Sequence, residues 1–431
     1  MQDWAGWLLL FSSFFVVMSF REVLNDRSVA YAMFFILVFH HLAAITNAYI
    51  VMLPGIGDAF GFVSLATHSA EVGEISNGIP YVKFLSVVFM VFGSSYFLGE
   101  ELSVLTFAFS CIVFIKLINL TNVRRHRVGL LMLYGLLPAT ILYTSVGLRE
   151  AYQIQFFMLT VYFGLRIHVK PMIGARLLMI LSALLMAFFH HALIIIVVVL
   201  VPVLLLWKPQ KFSIKKRYAL SKSRFVNGTL VIILIAGGYY CTGSPTLLKV
   251  YGGLNPNKSI EQYKELVEHR TGQLKSVLGR SNYDSQVDFS SVNSTARTTL
   301  RSLVYYLFYP FPWEINKAID IVPAFEALIR FLLIVFSINS WLKSQGSQRK
   351  IYSFFIFAYF LVTIFYMFGT GNAGTAMRHN IVSYWLIVLV GGSGLIEFVT
   401  KLILPISKSE VRNSRISHGA CSSMKIGNTP I

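Results

Sequence analysis

Residues 128–165, VGLLMLYGLLPATILYTSVGLREAYQIQFFMLTVYFGL, form two apolar runs divided by one charged pair, Arg149-Glu150. Each run, Val128–Gly147 and Ala151–Leu165, is of the order of a membrane-crossing helix, roughly 20 residues. Basic residues mark their outer ends: Arg124-Arg125-His126-Arg127 before the first, and Arg166, Lys170 and Arg176 after the second. Loops on the cytoplasmic face carry an excess of Lys and Arg, so both clusters belong on that face and Arg149 on the opposite one. A cation at the far mouth of a helix pair is placed to meet an anion.

The composition agrees with lipid as the solvent. The chain has 431 residues, 55% of them hydrophobic and only 13% charged, against about 25% charged in a soluble domain. Apolar runs of spanning length recur along it, so the expectation is a single all-α polytopic integral membrane domain over residues 1–431. No alternating ten-residue strands suggest a spanning barrel. The net charge of +18 does not argue for nucleic acid, because the cations sit between apolar runs, as in Lys208–Arg224, Lys343–Lys350 and the tail from Lys401. They read as cytoplasmic loops touching membrane lipid. Cys111, Cys241 and Cys421 are too scattered for a disulfide framework or a metal knuckle.

The expected spans are Trp4–Phe20, Val29–Leu53, Tyr81–Leu98, Leu102–Leu120, Val128–Gly147, Ala151–Leu165, Leu177–Phe189, Ala192–Trp207, Phe225–Cys241, Ile321–Trp341, Ile351–Phe368 and Ile381–Leu404. That makes about twelve transmembrane helices with both termini inside and a cytoplasmic tail over 405–431. The run Leu177–Trp207 is split at His190-His191, because one long helix would put Lys208–Arg224 on the wrong face. The stretch Pro54–Pro80 holds Asp58, Glu71 and Glu74 and no Lys or Arg, which suggests an outer loop. Counting back from Arg124 puts it inside, so a segment there is re-entrant or Tyr81–Leu120 is no simple hairpin. Residues 242–313 form one long outer loop that ends in an aromatic, proline-broken interfacial segment, RSLVYYLFYPFPW. Tyr and Trp favour that depth.

Four elements converge on the outer face: Arg149, His190 with His191, the long loop with Arg297 and Arg301, and Arg378-His379 in the glycine-rich stretch Gly369–Asn380. Arginine offers a planar fork of donors for phosphate or carboxylate, and histidine accepts protons near neutral pH. Together they suit a lipid-linked diphosphate. Blander readings exist: Arg149 pairing with Glu150 or reaching the headgroups, the histidines as punctuation at a hairpin tip, Arg378 as an anchor for the last helix. Asp58, one carboxylate in an acidic stretch, is a candidate acid or base. Arg330 falls inside an expected helix, so it faces a polar cavity or the boundaries there are wrong. There is no P-loop, dinucleotide fingerprint, HExxH or GxSxG, and no paired aspartates for a divalent metal. No metal or cofactor is expected.

Arg149-Glu150-Ala151, followed some forty residues later by Phe189-His190-His191-Ala192-Leu193, resembles the Arg-Gln-x-x-Ala and Phe-His-x-Ser-Ala pattern of EpsG-like and Wzy-type polysaccharide polymerases. Asn372-Ala373-Gly374-Thr375-Ala376-Met377-Arg378 is similar to their late arginine-bearing outer loop, and Pro310-Phe311-Pro312-Trp313 fits loosely. Glu150 stands where Gln is usual, Ala192 where Ser is usual, and Asn380 where another Arg often follows. The resemblance implies a bacterial inner-membrane enzyme that polymerises O-antigen or exopolysaccharide repeat units. It would be an inverting, metal-independent glycosyltransferase acting on oligosaccharides carried by undecaprenyl diphosphate, with a chain-length regulator as a further candidate partner. On that reading Arg149, Arg378 and Arg301 would bind the diphosphate and His190 or His191 would take the acceptor proton. Tyr305 and Trp313 would contact lipid or sugar. The alternatives are an O-antigen ligase-like transferase, or a transporter or flippase of an anionic lipid-linked substrate.

Overall fold

The computed structural model describes residues 3–51, 53, 57–75, 79–123, 125–170, 172–190, 193–207, 291–368 and 370–403. The elements among them are all helical. In chain order they are α1 Trp4–Met18, α2 Arg21–Leu24, α3 Arg27–Ile45 running into a π turn Thr46–Ile50, α4 Gly57–Val72 and α5 Pro80–Phe92. Then come α6 Tyr96–Leu120, α7 Arg127–Gly135, α8 Pro138–Thr144, α9 Glu150–Val169, α10 Ile173–Phe189 and α11 Ile194–Leu206. The chain closes with α12 Val292–Phe308, α13 Ile321–Lys343, α14 Gly346–Met367 and α15 Ala373–Ile403. The expected span Phe225–Cys241, the basic loop Lys208–Arg224 and the tail 405–431 lie outside the described residues, as does the expected outer loop up to residue 290. From Ser291 that loop's last part is the helix α12.

Among the described residues five helices are long and apolar enough to cross a membrane alone, and α7 with α8, bent by 59°, make a sixth. Shorter apolar helices, α1, α5, α10 and α11, stand beside them. Large apolar side chains such as Phe15 and Leu8 face outward, as they do when lipid is the neighbour. The architecture is that of a polytopic membrane protein, without a one-for-one match to twelve spans.

Local chemistry sets the boundaries. Asp26 caps α3 by accepting from the N–H groups of Ser28 and Val29, and Ser95 caps α6 by accepting from Leu98, each satisfying a donor that has no partner inside the helix. Pro138 opens α8; it lacks an N–H and so breaks the span at α7. Gly93 ends α5 at φ +90°, a conformation that favours glycine.

That turn changes the topology. Arg127 meets Asp26 at 3.4 Å, Lys116 meets Glu22 at 3.5 Å and Arg125 meets Glu397 at 2.9 Å, which gathers one basic end. At the far end Ser95 donates to Asp3 at 2.5 Å and Trp7 stacks on Tyr49. Asp3 and the end of α15 therefore lie at opposite ends, not on one side as expected. The expected boundary between Tyr81–Leu98 and Leu102–Leu120 is also displaced. The chain breaks at Gly93, and Glu100-Glu101, which looked like a loop, lie inside α6. The acidic stretch Pro54–Pro80 is largely α4, which packs on α5 as a short far-end hairpin. With one crossing fewer, it lies at the end away from that basic cluster.

Arg330 is buried inside α13 without breaking it. Its Nη1 donates to the Leu307 carbonyl at 2.5 Å, and Glu326 lies one turn earlier. The Glu326 carboxylate accepts the Ala139 N–H at the start of α8, where the helix dipole favours negative charge.

The crossing of α13 and α15 is close because residue 391 has no side chain. A Cβ there would lie 2.6 Å from Ser337 Oγ and 2.8 Å from its backbone nitrogen, and closer still to the Leu333 carbonyl. Small residues allow such approach between membrane helices. Gly391→Val is expected to destabilise by about 1–3 kcal/mol, seen as a lower midpoint of thermal unfolding in detergent. A wild-type midpoint would mean that the crossing yields easily.

Candidate functional site: a far-end cluster of charge around Arg378

The last helix begins earlier than the sequence suggests. Asn372 Oδ1 accepts from the N–H of Gly374 at 2.8 Å and of Thr375 at 3.4 Å, so the chain is helical from Ala373. Arg378 and His379 are thus in its second turn, not in a loop.

Arg378 is 6% exposed. Its Nε donates to Glu150 Oε1 at 2.5 Å and its Nη1 to Asp58 Oδ2 at 2.5 Å. Glu150 opens α9 and is fully buried, whereas the Asp58 side chain, in the first turn of α4, is 63% exposed. An isolated buried guanidinium would be expensive, and two carboxylates offset that.

Glu150 is therefore not the partner of Arg149. Among the described residues Arg149 has no carboxylate partner; its guanidinium lies 5.7 Å from the Phe62 ring centroid, and its Nε is buried without a hydrogen bond. Arg149 sits just before α9 and is within electrostatic reach of His379 and Tyr366.

The neighbouring face of α15 extends the cluster. His379 Nδ1 is 3.0 Å from Thr370 Oγ1, and its ring stacks on Tyr366 with centroids 4.3 Å apart. Tyr366 donates to Gln153 Oε1 at 2.9 Å, one turn beyond Glu150 on α9. His190, at the break between α10 and α11, sets its ring edge-on to Tyr366 at 5.9 Å and to His379 at 6.4 Å. Arg149, His190 and Arg378 are thus brought together, and His191 lies outside the described residues.

Arg301 is placed differently. It is exposed on α12 with its guanidinium 5.6 Å from the Tyr305 ring centroid. Tyr305 stacks on Tyr309 and meets Phe311 edge-on, and Phe311 stacks on Trp313 at 5.0 Å. Trp313 is 78% exposed. This aromatic ladder adjoins α15, where Asn380 Nδ2 donates to the Tyr306 carbonyl at 3.2 Å.

A second buried polar group was not foreseen. His41 Nδ1 is 2.7 Å from Glu101, and its Nε2 is 2.9 Å from Ser13 Oγ. Asn47 donates to Glu100, and His40 lies 2.9 Å from the Gly135 carbonyl. The signal was present: two adjacent glutamates inside an apolar stretch, with His40-His41 inside another. Among the described residues, no group of three or more His, Cys, Asp or Glu is arranged to hold a metal ion.

Glu150→Ala would leave Arg378 with one exposed counterion. The expected loss is about 3–5 kcal/mol, read as a lower thermal midpoint in detergent, with Glu150→Gln milder. Equal midpoints for Glu150→Ala and wild type would mean that this ion pair does not hold α9 to α15. No family model, no curated protein and no solved structure matches this chain.

Proposed function

We propose that the protein is a membrane glycosyltransferase that polymerises oligosaccharide repeat units carried on undecaprenyl diphosphate, acting at the end of the bundle away from its basic clusters. The observation that carries this reading is Arg149, a half-buried guanidinium with no carboxylate partner among the described residues, while one oxygen of the adjacent Glu150 accepts from Arg378. A diphosphate is a natural occupant beside such a fork of donors. The three segments that carry the resemblance to Wzy-type and EpsG-like polymerases, around Arg149, His190 and Arg378, also meet at one cluster.

When the sugar leaves its carrier, negative charge grows on the diphosphate. A cation already in place stabilises that transition state more than the ground state. Arg149 is the better candidate for this contact, because the charge of Arg378 is already met by two carboxylates. Arg378 then positions those carboxylates. Arg301, with Tyr305 and Trp313, would meet the lipid chain or sugar faces on the exposed ladder, where Arg301 is a peripheral phosphate contact. A bacterial inner membrane is the compartment this substrate implies.

One observation favours the rival reading, a transporter or flippase of an anionic lipid. Glu100, Glu101 and His41 are buried inside the bundle, and ionisable groups there often mark transport paths. The two readings separate in cells lacking the protein. Loss of the polymerase leaves single repeat units at the surface, and loss of a flippase traps them on the inner leaflet.

Arg149→Ala is expected to lower chain extension by about 100-fold or more with normal amounts in the membrane, and Arg149→Lys to keep part of it. The length ladder of surface glycan on a gel is the measurement. A normal ladder from Arg149→Ala removes Arg149 from the site.

A further inference from the structure

We propose that Asp58 accepts the proton of the attacking sugar hydroxyl, an assignment that rests on the transferase reading above. The two carboxylates on Arg378 differ in kind. Glu150 is sealed in the protein, whereas the Asp58 side chain is 63% exposed while one of its oxygens is fixed at 2.5 Å from Nη1. A carboxylate anchored from below and open above can receive an incoming hydroxyl in a defined direction.

The histidines are less suited. His379 has Nδ1 beside Thr370 and its face covered by Tyr366. His190 is half-buried and edge-on to both rings, with its Nδ1 buried.

Helix α4 also sets the spacing. Asp58 and Phe62 are four residues apart, hence neighbours on one helical face, about 5–6 Å between Cβ atoms. Phe62 is the ring beneath the Arg149 guanidinium. The same short helix therefore carries the carboxylate and braces the cation one turn away. A sugar seated between them would have its acceptor oxygen near one and its departing diphosphate near the other.

The step balances as follows. Asp58 takes the hydroxyl proton, and the oxygen so freed forms a bond to the anomeric carbon. The bond from that carbon to the diphosphate oxygen breaks, and its electron pair leaves with the diphosphate beside Arg149. Attack opposite the leaving group inverts the anomeric centre, as when a carboxylate base activates the nucleophile in inverting glycosidases. The proton then passes from exposed Asp58 to water.

The test uses full-length protein with Asp58→Asn and Asp58→Glu. Asparagine can still accept the bond from Arg378 but cannot take up a proton. Undecaprenyl diphosphate binding is measured on detergent-purified protein, and chain extension in cells whose own copy is deleted. The expected result for Asp58→Asn is a binding constant within about threefold of wild type and chain extension lower by about 100-fold or more, with partial recovery in Asp58→Glu. A normal glycan ladder from Asp58→Asn overturns the proposal. So does a parallel loss of diphosphate binding, which would make Asp58 a residue that positions the donor. If deleting the whole protein leaves the ladder unchanged, the transferase reading fails and the proposal falls with it; that outcome is distinguishable because it does not depend on residue 58.

Discussion

A guanidinium buried between two carboxylates is the constraint on which the far end of this protein depends. Removing the Arg378 charge from water is costly unless its donors are satisfied, and the nearest acids in sequence cannot do it. Glu150 and Asp58 come from α9 and α4, so three stretches of chain are tied at one point. The arrangement also has a local effect. Because one oxygen of Glu150 accepts from Arg378, Arg149 has no carboxylate partner among the described residues, although a carboxylate follows it directly in sequence.

The same logic recurs through the bundle. Arg330 takes a carbonyl from the end of α12, and Glu326 takes an N–H from α8. Glu101 and Glu100 in α6 are met by His41 and Asn47 from the α3 segment. In each case a polar group inside the apolar interior is partnered from another helix, as burial of charge requires. The outward faces, by contrast, carry Phe, Leu and Ile and take no part in pairing.

The sequence made the class and the polar landmarks legible, and lost the pairings. Apolar run length was enough for a polytopic helical protein. The charge rule alone split Leu177–Trp207 at His190, and the helices α10 and α11 do separate there. The boundary at Glu100-Glu101 was misplaced, because a charged pair in an apolar run looks like a loop until its partners on a distant helix are known. That error added a crossing and put the N-terminal segment at the same end as the close of α15. The acidic stretch after Pro54 kept the contradiction visible, since its composition demanded the opposite face. The partner of Glu150 was hidden for a related reason: adjacency offered Arg149 as the blander pairing, whereas Arg378 arrives from 228 residues away. The early start of α15 was hidden because Asn372-Ala373-Gly374 reads as a turn, and only the capping bonds of Asn372 show that the helix has begun.

Helix α8, seven residues long, has one end fixed by Glu326 and the other by the bond from Tyr143 to the Gly374 carbonyl. Those partners lie 187 and 231 residues further along the chain. Synthesis proceeds from the N-terminus, so this half of a broken span leaves the ribosome long before either anchor exists. This far end of the bundle must therefore be inserted first and locked afterwards, with the final helix closing the assembly like a keystone.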